Sequence, residues 1–237
     1  MSTINYFKFP DVSNANEDGL LAMGGDLEVD TLVSAYAQGI FPWFNDDQPL
    51  LWWSPDPRMV LYPKDVKVSR SLAKTLRRGG FTITCNSCFE DVISNCALRG
   101  RTSKTSDEHS VEDTWITDEM NSAYIELHKR GYAHSIEVWQ HDSLVGGLYG
   151  LALGKSFFGE SMFSHVSDAS KVALVMLCKA LAEQDYTLID CQVASDHLFS
   201  LGAVEISREL FLEQISGVDI NQAKPNFADE FKAALKL

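Results

Sequence analysis

No stretch of this sequence is apolar for long enough to cross a bilayer. The longest candidate, Val172 to Cys178, is far shorter than the roughly 20 residues that a spanning helix needs. The opening residues, MSTINYFKFPDVSNANEDG, lack a basic region followed by an apolar one, so no signal peptide is expected. These absences predict a soluble cytoplasmic protein with no membrane partner. Cysteine is sparse and odd in number: Cys85, Cys88, Cys96, Cys178 and Cys191, which argues for reduced thiols. Cys85 and Cys88 have the spacing of half a zinc site. No second such pair and no paired histidines complete four ligands, so no metal is expected. Also missing are a P-loop, a G-x-G-x-x-G and an H-E-x-x-H. The run Gly159-Glu160-Ser161-Met162-Phe163 lacks the second glycine of a nucleophile elbow. Positive charge is scarce, with 20 Lys and Arg against 33 Asp and Glu and a formal charge of −13. That balance disfavours nucleic-acid binding over the whole surface but leaves room for a local basic patch.

What is present is ordinary globular composition. With 237 residues, 45% of them hydrophobic, the chain is long enough for one large domain, or a domain with a small companion. Asp30-Thr31 reads as the cap of a short helix ended by Gly39. An aromatic, proline-rich stretch from Phe41 to Arg58 reads as an ordered loop with short strands, and 59–62 as a strand. Ser69 caps a helix over 70–78, and 81–84 is a strand. Phe89, Val92, Ile93 and Cys96 form a helical face. Residues 99–113 read as a polar loop and 118–129 as a helix. Strands over 133–139, 144–153 and 156–163 form an antiparallel meander. A helix over 169–184 is apolar nearly all round, hence buried. A strand at 187–191, a helix at 196–200, a strand at 203–206 and a helix at 208–215 follow. This order predicts an α+β fold with an N-acetyltransferase-like (GNAT-like) arrangement, and a soft boundary near Pro63 divides the chain into 1–62 and 63–237.

Acetyltransferases that use CoA need a glycine-rich turn ahead of the central helix, where backbone N–H groups hold the pyrophosphate. Here that turn, 164–171, has no glycine, and Asp168 would repel a phosphate. Gly146, Gly147 and Gly150 fall within strands and predict close backbone approach or a bulge. Between Arg58 and Arg78 the cations Arg58, Lys64, Lys67, Arg70, Lys74, Arg77 and Arg78 face only Asp65. Lys67, Arg70, Lys74 and Arg78 have the spacing of one helical face, which suits a row of phosphates.

Eight stretches, in order, resemble the leucyl/phenylalanyl-tRNA–protein transferase family. They are GLLAMGGDL at 19–27, Tyr36 through Gly39-Ile40-Phe41-Pro42-Trp43-Phe44, LWWSPDPR at 51–58, TWIT at 114–117, HSIEVW at 134–139, FGESMF at 158–163, LIDCQ at 188–192 and SLGA at 200–203. Ala194-Ser195 departs from the family pattern, and the tail after Gly217 does not match it.

The resemblance implies a small N-terminal domain on a GNAT-like catalytic domain. It implies transfer of Leu, Phe or, less well, Met from aminoacyl-tRNA to an N-terminal Arg or Lys of an acceptor protein, which marks the acceptor for degradation. It requires no cofactor. Asp190 and Gln192 are the expected catalytic pair, with Asp190 orienting or deprotonating the attacking amine through Gln192 or water. If the strand continues, the two share one face. Leu148, Phe157, Leu174, Leu177 and Ile189 are expected to line the pocket for the donor side chain. Glu160 is expected to receive the donor's α-amino group, and Trp43 and Trp115 to stack on the terminal adenosine. Lys64, Lys67, Arg70, Lys74, Arg77 and Arg78 are the expected tRNA contacts.

Overall fold

The computed structural model describes residues 3–102 and 117–236. Near the N-terminus, β1 (Leu20–Met23), β2 (Phe41–Pro42) and β3 (Leu51–Trp53) form a small antiparallel sheet in the order β1-β3-β2. Helix α1 (Val29–Ala37) precedes β2 and is buried over most of its length. Its N-cap is Glu28, which makes no side-chain cap, so Asp30 lies inside the first turn rather than ahead of it.

Sheet membership changes at Arg58. Strand β4 (Arg58–Leu61) joins a seven-stranded sheet with β5 (Thr82–Cys85), β6 (Ala133–Gln140), β7 (Ser143–Leu153), β8 (Ser156–Ser164), β9 (Leu188–Gln192) and β10 (Val204–Ile206). The order is β10-β4-β9-β8-β7-β6-β5. All neighbours are antiparallel except β8 and β9. That parallel pair is joined by α5 (Ala169–Glu183), since parallel neighbours need a crossover. The meander 133–164, the buried crossover helix and the elements between 187 and 215 form where the hydrophobic pattern places them. The fold is a mixed α+β arrangement.

Helices cover both faces. Along β7, Tyr149, Leu151 and Leu153 enter one apolar layer with α1, α3 (Phe89–Thr102), α4 (Asp118–Lys129) and α7 (Arg208–Ile215). Leu148 and Ala152 enter the other, with α2 (Arg70–Arg78), α5, the end of α6 (Asp196–Ser200) and α8 (Phe227–Leu235). This is the two-residue alternation of a strand covered on both sides. The strand glycines serve close approach: a Cβ on Gly150 would lie 2.2 Å from the Phe158 carbonyl and 2.6 Å from the Phe157 ring. The register of β7 and β8 shifts between Tyr149 and Gly150, the expected bulge.

Two expectations need correction. The stretch 99–113 is not all loop, because α3 runs to Thr102; the rest of it lies outside the described residues. The terminal helix α8, unpredicted from the sequence, buries Phe227 and Phe231.

Candidate active site

The site forms where the two parallel strands part. Strands β8 and β9 pair only from Ser156↔Leu188 to Phe158↔Asp190. Beyond that point their backbones diverge, and the gap is bridged by a side chain: Gln192 Nε2 donates to the Gly159 carbonyl at 2.6 Å. Two cavities open here. One, of about 220 Å³, is mostly apolar, and its walls include Leu148, Phe157, Leu174, Leu177 and Ile189. These are the five residues expected to hold a donor side chain. The other, of about 330 Å³, runs between Phe41-Pro42-Trp43 and 191–195. Glu160, Cys191, Gln192 and Ser195 line both.

Asp190 lies beneath that shared wall, fully buried. Arg58, buried with it, donates to it twice, Nε to Oδ1 at 2.8 Å and Nη2 to Oδ2 at 2.6 Å. The guanidinium also donates to the Gly39 carbonyl at 3.2 Å and lies between the rings of Phe41 and Phe211, at 4.8 and 4.6 Å. A bidentate pair of this kind fixes orientation as well as charge. Asp190 passes that order on, because Oδ1 also accepts the Gln192 backbone N–H at 3.0 Å. Gln192 has a left-handed backbone, φ 57°. The expectation that Asp190 and Gln192 share one strand face therefore fails. The chain turns back at Gln192, and the two are linked through a backbone N–H instead. Non-glycine residues in this conformation are uncommon and gather at functional sites.

Glu160 has its own scaffold. Oε1 accepts from the Tyr36 hydroxyl at 2.7 Å and from Gln192 Nε2 at 3.3 Å, and Oε2 accepts from Tyr124 at 2.9 Å. The two tyrosine hydroxyls also lie in hydrogen-bond contact with each other; with one proton apiece they supply two of the three bonds among Tyr36, Tyr124 and Glu160 at a time, and the third needs a proton on Glu160. Burial pushes the Glu160 carboxyl up to about 7, although the tyrosine hydrogen bonds and Arg58 favour its charged form. Burial, with the charge of Glu160, drives both tyrosine hydroxyls well above their ordinary range, so they remain donors. A carboxylate offers about four acceptor positions. Three are taken, which leaves capacity for one cationic or N–H group entering from the cavities. Burial and Asp190 push the Cys191 thiol up, which disfavours the nucleophilic thiolate form.

Trp43, a residue 43% exposed, lines the second cavity with its ring tilted against Trp53 at 5.8 Å, an available stacking surface. Trp115 lies outside the described residues. Lys64, Lys67, Arg70, Lys74, Arg77 and Arg78 are all exposed. Only part of the expected stripe is helical: Ser69 caps α2, so Lys64 and Lys67 precede the helix and Arg70, Lys74, Arg77 and Arg78 ride on it. Lys64 makes an exposed ion pair with Asp185 at 3.7 Å. Arg58, grouped with these cations by sequence proximity, is the buried partner of Asp190 instead. Its signal was the apolar strand Met59-Val60-Leu61 that follows it. Tyr36 and Tyr124 were also missed as polar groups, since in sequence each is an ordinary helical aromatic.

The junction ahead of α5 does not offer a phosphate cradle. Asp168 is the N-cap, with φ 68° and no side-chain cap, and its carboxylate accepts from Thr75 at 3.2 Å and Lys171 at 3.4 Å. Among the described residues, no cluster of His, Cys, Asp and Glu is arranged to hold a metal.

Two sequence profiles match the chain. One, described as leucyl/phenylalanyl-tRNA protein transferase, covers residues 60–216, and one for the N-terminal domain of the same proteins covers 25–56. Curated relatives named leucyl/phenylalanyl-tRNA–protein transferase are similar over most of their length. One from Cellvibrio japonicus is 54% identical over 88% of this chain and 86% of its own. One from Hydrogenovibrio crunogenus is 56% identical over 82% and 73%. One from Pseudomonas syringae pv. syringae is 50% identical over 90% of each. Among solved structures, L-PGS from Bacillus licheniformis is 10% identical with a TM-score of 0.39, over 81% of this chain and 58% of that one, a likeness too slight to classify the fold.

Proposed function

The chain belongs to the leucyl/phenylalanyl-tRNA–protein transferase family and is a transferase, and from that premise we propose how its site works. It moves Leu, Phe or, less well, Met from aminoacyl-tRNA to the N-terminal Arg or Lys of an acceptor protein in the cytoplasm, marking that protein for degradation. The observation that carries this reading is the pair of cavities with one shared wall. An apolar cavity suited to a long side chain unbranched at Cβ meets a second one flanked by Trp43, and Glu160 and Gln192 stand between them.

The reaction is aminolysis of an ester. The acceptor's α-amine has an ordinary pKa of about 7.7 to 8.0, so part of it is neutral near neutral pH. It attacks the ester carbonyl, a C–N bond forms, the C–O bond to the ribose breaks, and one amine proton ends on the ribose oxygen, which leaves as a hydroxyl. The step is downhill and calls for neither ATP nor a metal, so most of the acceleration comes from placement. Glu160 takes the donor's α-amino group with its remaining acceptor position, while Leu148, Phe157, Leu174, Leu177 and Ile189 enclose the side chain. Trp43, with Trp115, stacks on the terminal adenosine. Gln192 orients the attacking amine, and Asp190 acts through it. Both Asp190 oxygens are engaged by Arg58, which favours orientation over direct proton abstraction. Lys64, Lys67, Arg70, Lys74, Arg77 and Arg78 bind the tRNA backbone. In this reading the catalytic part is GNAT-like and residues 1–62 form the smaller part, although β4 is shared with the large sheet.

One assay tests the whole reading. The protein is incubated with Phe-tRNA, acetyl-CoA and an Arg-initiated peptide, and the mass added to the peptide is measured. A phenylalanyl increment is expected. An acetyl increment would identify a CoA-dependent enzyme, and no increment a binding module.

A further inference from the structure

The last segment of the chain, beyond residue 216, lies outside both matched profiles, yet it reaches the back of the apolar cavity. It is tied down before it does so. The Tyr132 hydroxyl donates to the Ile220 carbonyl at 2.8 Å, and the Lys224 N–H donates to the Gly131 carbonyl at 2.7 Å. Helix α8 then begins at Phe227, whose side chain is fully buried. On one side Phe227 stacks on the imidazole of His134, centroids 4.2 Å apart and planes 17° from parallel. It also lies against Phe157, centroids 6.0 Å apart and planes 30° from parallel. Tyr186 meets its edge at 6.5 Å.

Phe157 is the cavity wall that this column supports. Its ring is confined from a second direction by Gly150, where even a Cβ would come within 2.6 Å. Its strand position is pinned between Ala152 on β7 and Ile189 on β9. The ring therefore has three fixed boundaries: its strand neighbours, Gly150 and Phe227. Of these three, Phe227 is the side chain delivered by an element outside the sheet. Interiors are close-packed, so a change in its volume passes to the ring it supports. His134 is a rigid backstop. Burial holds its imidazole neutral, with a pKa lowered to about 3, and Asn86 fixes the ring through Nδ1 at 3.0 Å.

We propose that the C-terminal helix is part of the donor-selecting apparatus: Phe227 backs Phe157 and so sets the depth of the cavity that receives the donor side chain. Phe227 is thus a specificity-determining residue that touches no substrate. The inference rests on the cavity being the donor pocket.

The test compares donors within one protein. Initial rates are measured with tRNA charged with leucine, with phenylalanine and with 2-naphthylalanine, an aromatic one ring longer, for the parent and for Phe227→Leu. Each ratio of kcat/KM values is internal to one preparation, so a lower folded fraction cancels. Phe227→Leu is expected to let Phe157 recede and to raise the naphthylalanine-to-leucine ratio by about tenfold or more, the scale on which pocket contacts of about a methylene group discriminate. A ratio that stays within about twofold of the parent overturns the proposal. The wall variant Leu177→Ala, run in parallel, identifies what failed. If it shifts the ratio while Phe227→Leu does not, the helix has no part in selection. If neither shifts it, the cavity is not the donor pocket, and the reading of the site falls with the inference.

Discussion

Replacing Arg58 and Asp190 together separates positioning from folding. The Asp190 carboxylate accepts from Arg58 Nε at 2.8 Å, Arg58 Nη2 at 2.6 Å and the Gln192 N–H at 3.0 Å, and neither partner of the ion pair is exposed. Asp190→Val strands a buried guanidinium, at about 3–5 kcal/mol, and orphans the Gln192 N–H, at about 1–3 kcal/mol. Arg58→Met strands the carboxylate instead and orphans the Gly39 carbonyl. Against a total stability of about 5–15 kcal/mol, either single change leaves a marginal protein. Lost activity would then say nothing about chemistry. The double variant Arg58→Met/Asp190→Val strands no charge. Its two orphaned backbone groups each appear once among the singles, so they cancel in a double-mutant cycle. The remaining coupling is set by the stranded charges and should be at least about 3 kcal/mol by urea denaturation. The double variant should therefore be more stable than either single. Its Gln192 N–H has lost the acceptor that holds the left-handed turn. Peptide transfer at saturating donor should fall about 100-fold, the scale of a misplacement near 1 Å, while tRNA affinity stays within about twofold. A folded double variant that transfers within about twofold of the parent would refute a positioning role for Asp190.

Three further outcomes follow from the same geometry. Val- and Ile-tRNA should be poor donors in the proposed pocket, because branching at Cβ adds bulk next to the donor's α-carbon; equal transfer from Leu- and Ile-tRNA at equal concentration would sink this account of the pocket. Neutralising Lys74, Arg77 and Arg78 should flatten the salt dependence of tRNA binding by roughly 0.7 to 0.9 per lost phosphate contact, and leave binding of an aminoacyl-adenosine analogue unchanged; an unaltered slope would place the tRNA path elsewhere. Glu160, raised from 4.5 to about 7, contributes stability that is complete below the lower value and lost as pH rises through the higher. Glu160→Gln, which does not titrate, should therefore gain melting temperature relative to the parent between about pH 5 and about pH 8, and a constant difference across that window would contradict the raised pKa.

The sequence made some of this legible and hid the rest for identifiable reasons. The meander and the crossover helix were readable because their apolar residues recur at strand or helix period over long spans. Helix α2 was readable because Ser69 caps it, with its side chain accepting the Leu72 N–H at 3.2 Å, and Gly79 ends it at φ 67°. The five apolar residues that line the first cavity stand out in the sequence only through resemblance, since core and pocket leucines look alike there. Arg58 was grouped with the wrong neighbours because a charge run in sequence is not a charge patch in space: 132 residues separate it from Asp190. The Tyr36–Tyr124–Glu160 cluster joins three distant elements, with separations of 88, 124 and 36 residues, and no local pattern reports such a convergence. Helix α8 was missed because its short apolar face, Phe227 and Phe231, follows a turn-rich stretch with no side-chain cap.

The division of labour in the site runs across the boundary drawn near Pro63. Tyr36, the Gly39 carbonyl, Phe41, Trp43 and Arg58 all come from residues 1–62, while Asp190, Gln192, Glu160 and Tyr124 come from the rest. The smaller part therefore does more than cover the larger one. It supplies one of the two tyrosine hydroxyls on Glu160, the guanidinium on Asp190 and one wall of the second cavity. Without it, the buried Asp190 and the half-buried Glu160 would lose charge-stabilising partners, and an unpaired buried charge is among the most destabilising features a fold can carry. Folding and assembly of the site are in that sense a single event. Aminolysis gains mainly from holding the amine and the ester at the correct distance and angle, so precision depends on elements that cannot shift independently. Two buried networks, Arg58–Asp190–Gln192 and Tyr36–Tyr124–Glu160, meet in the bond from Gln192 Nε2 to Glu160, and each draws members from both sides of the boundary. That meeting point is where both cavities present their polar wall, which is the position the proposed aminolysis requires.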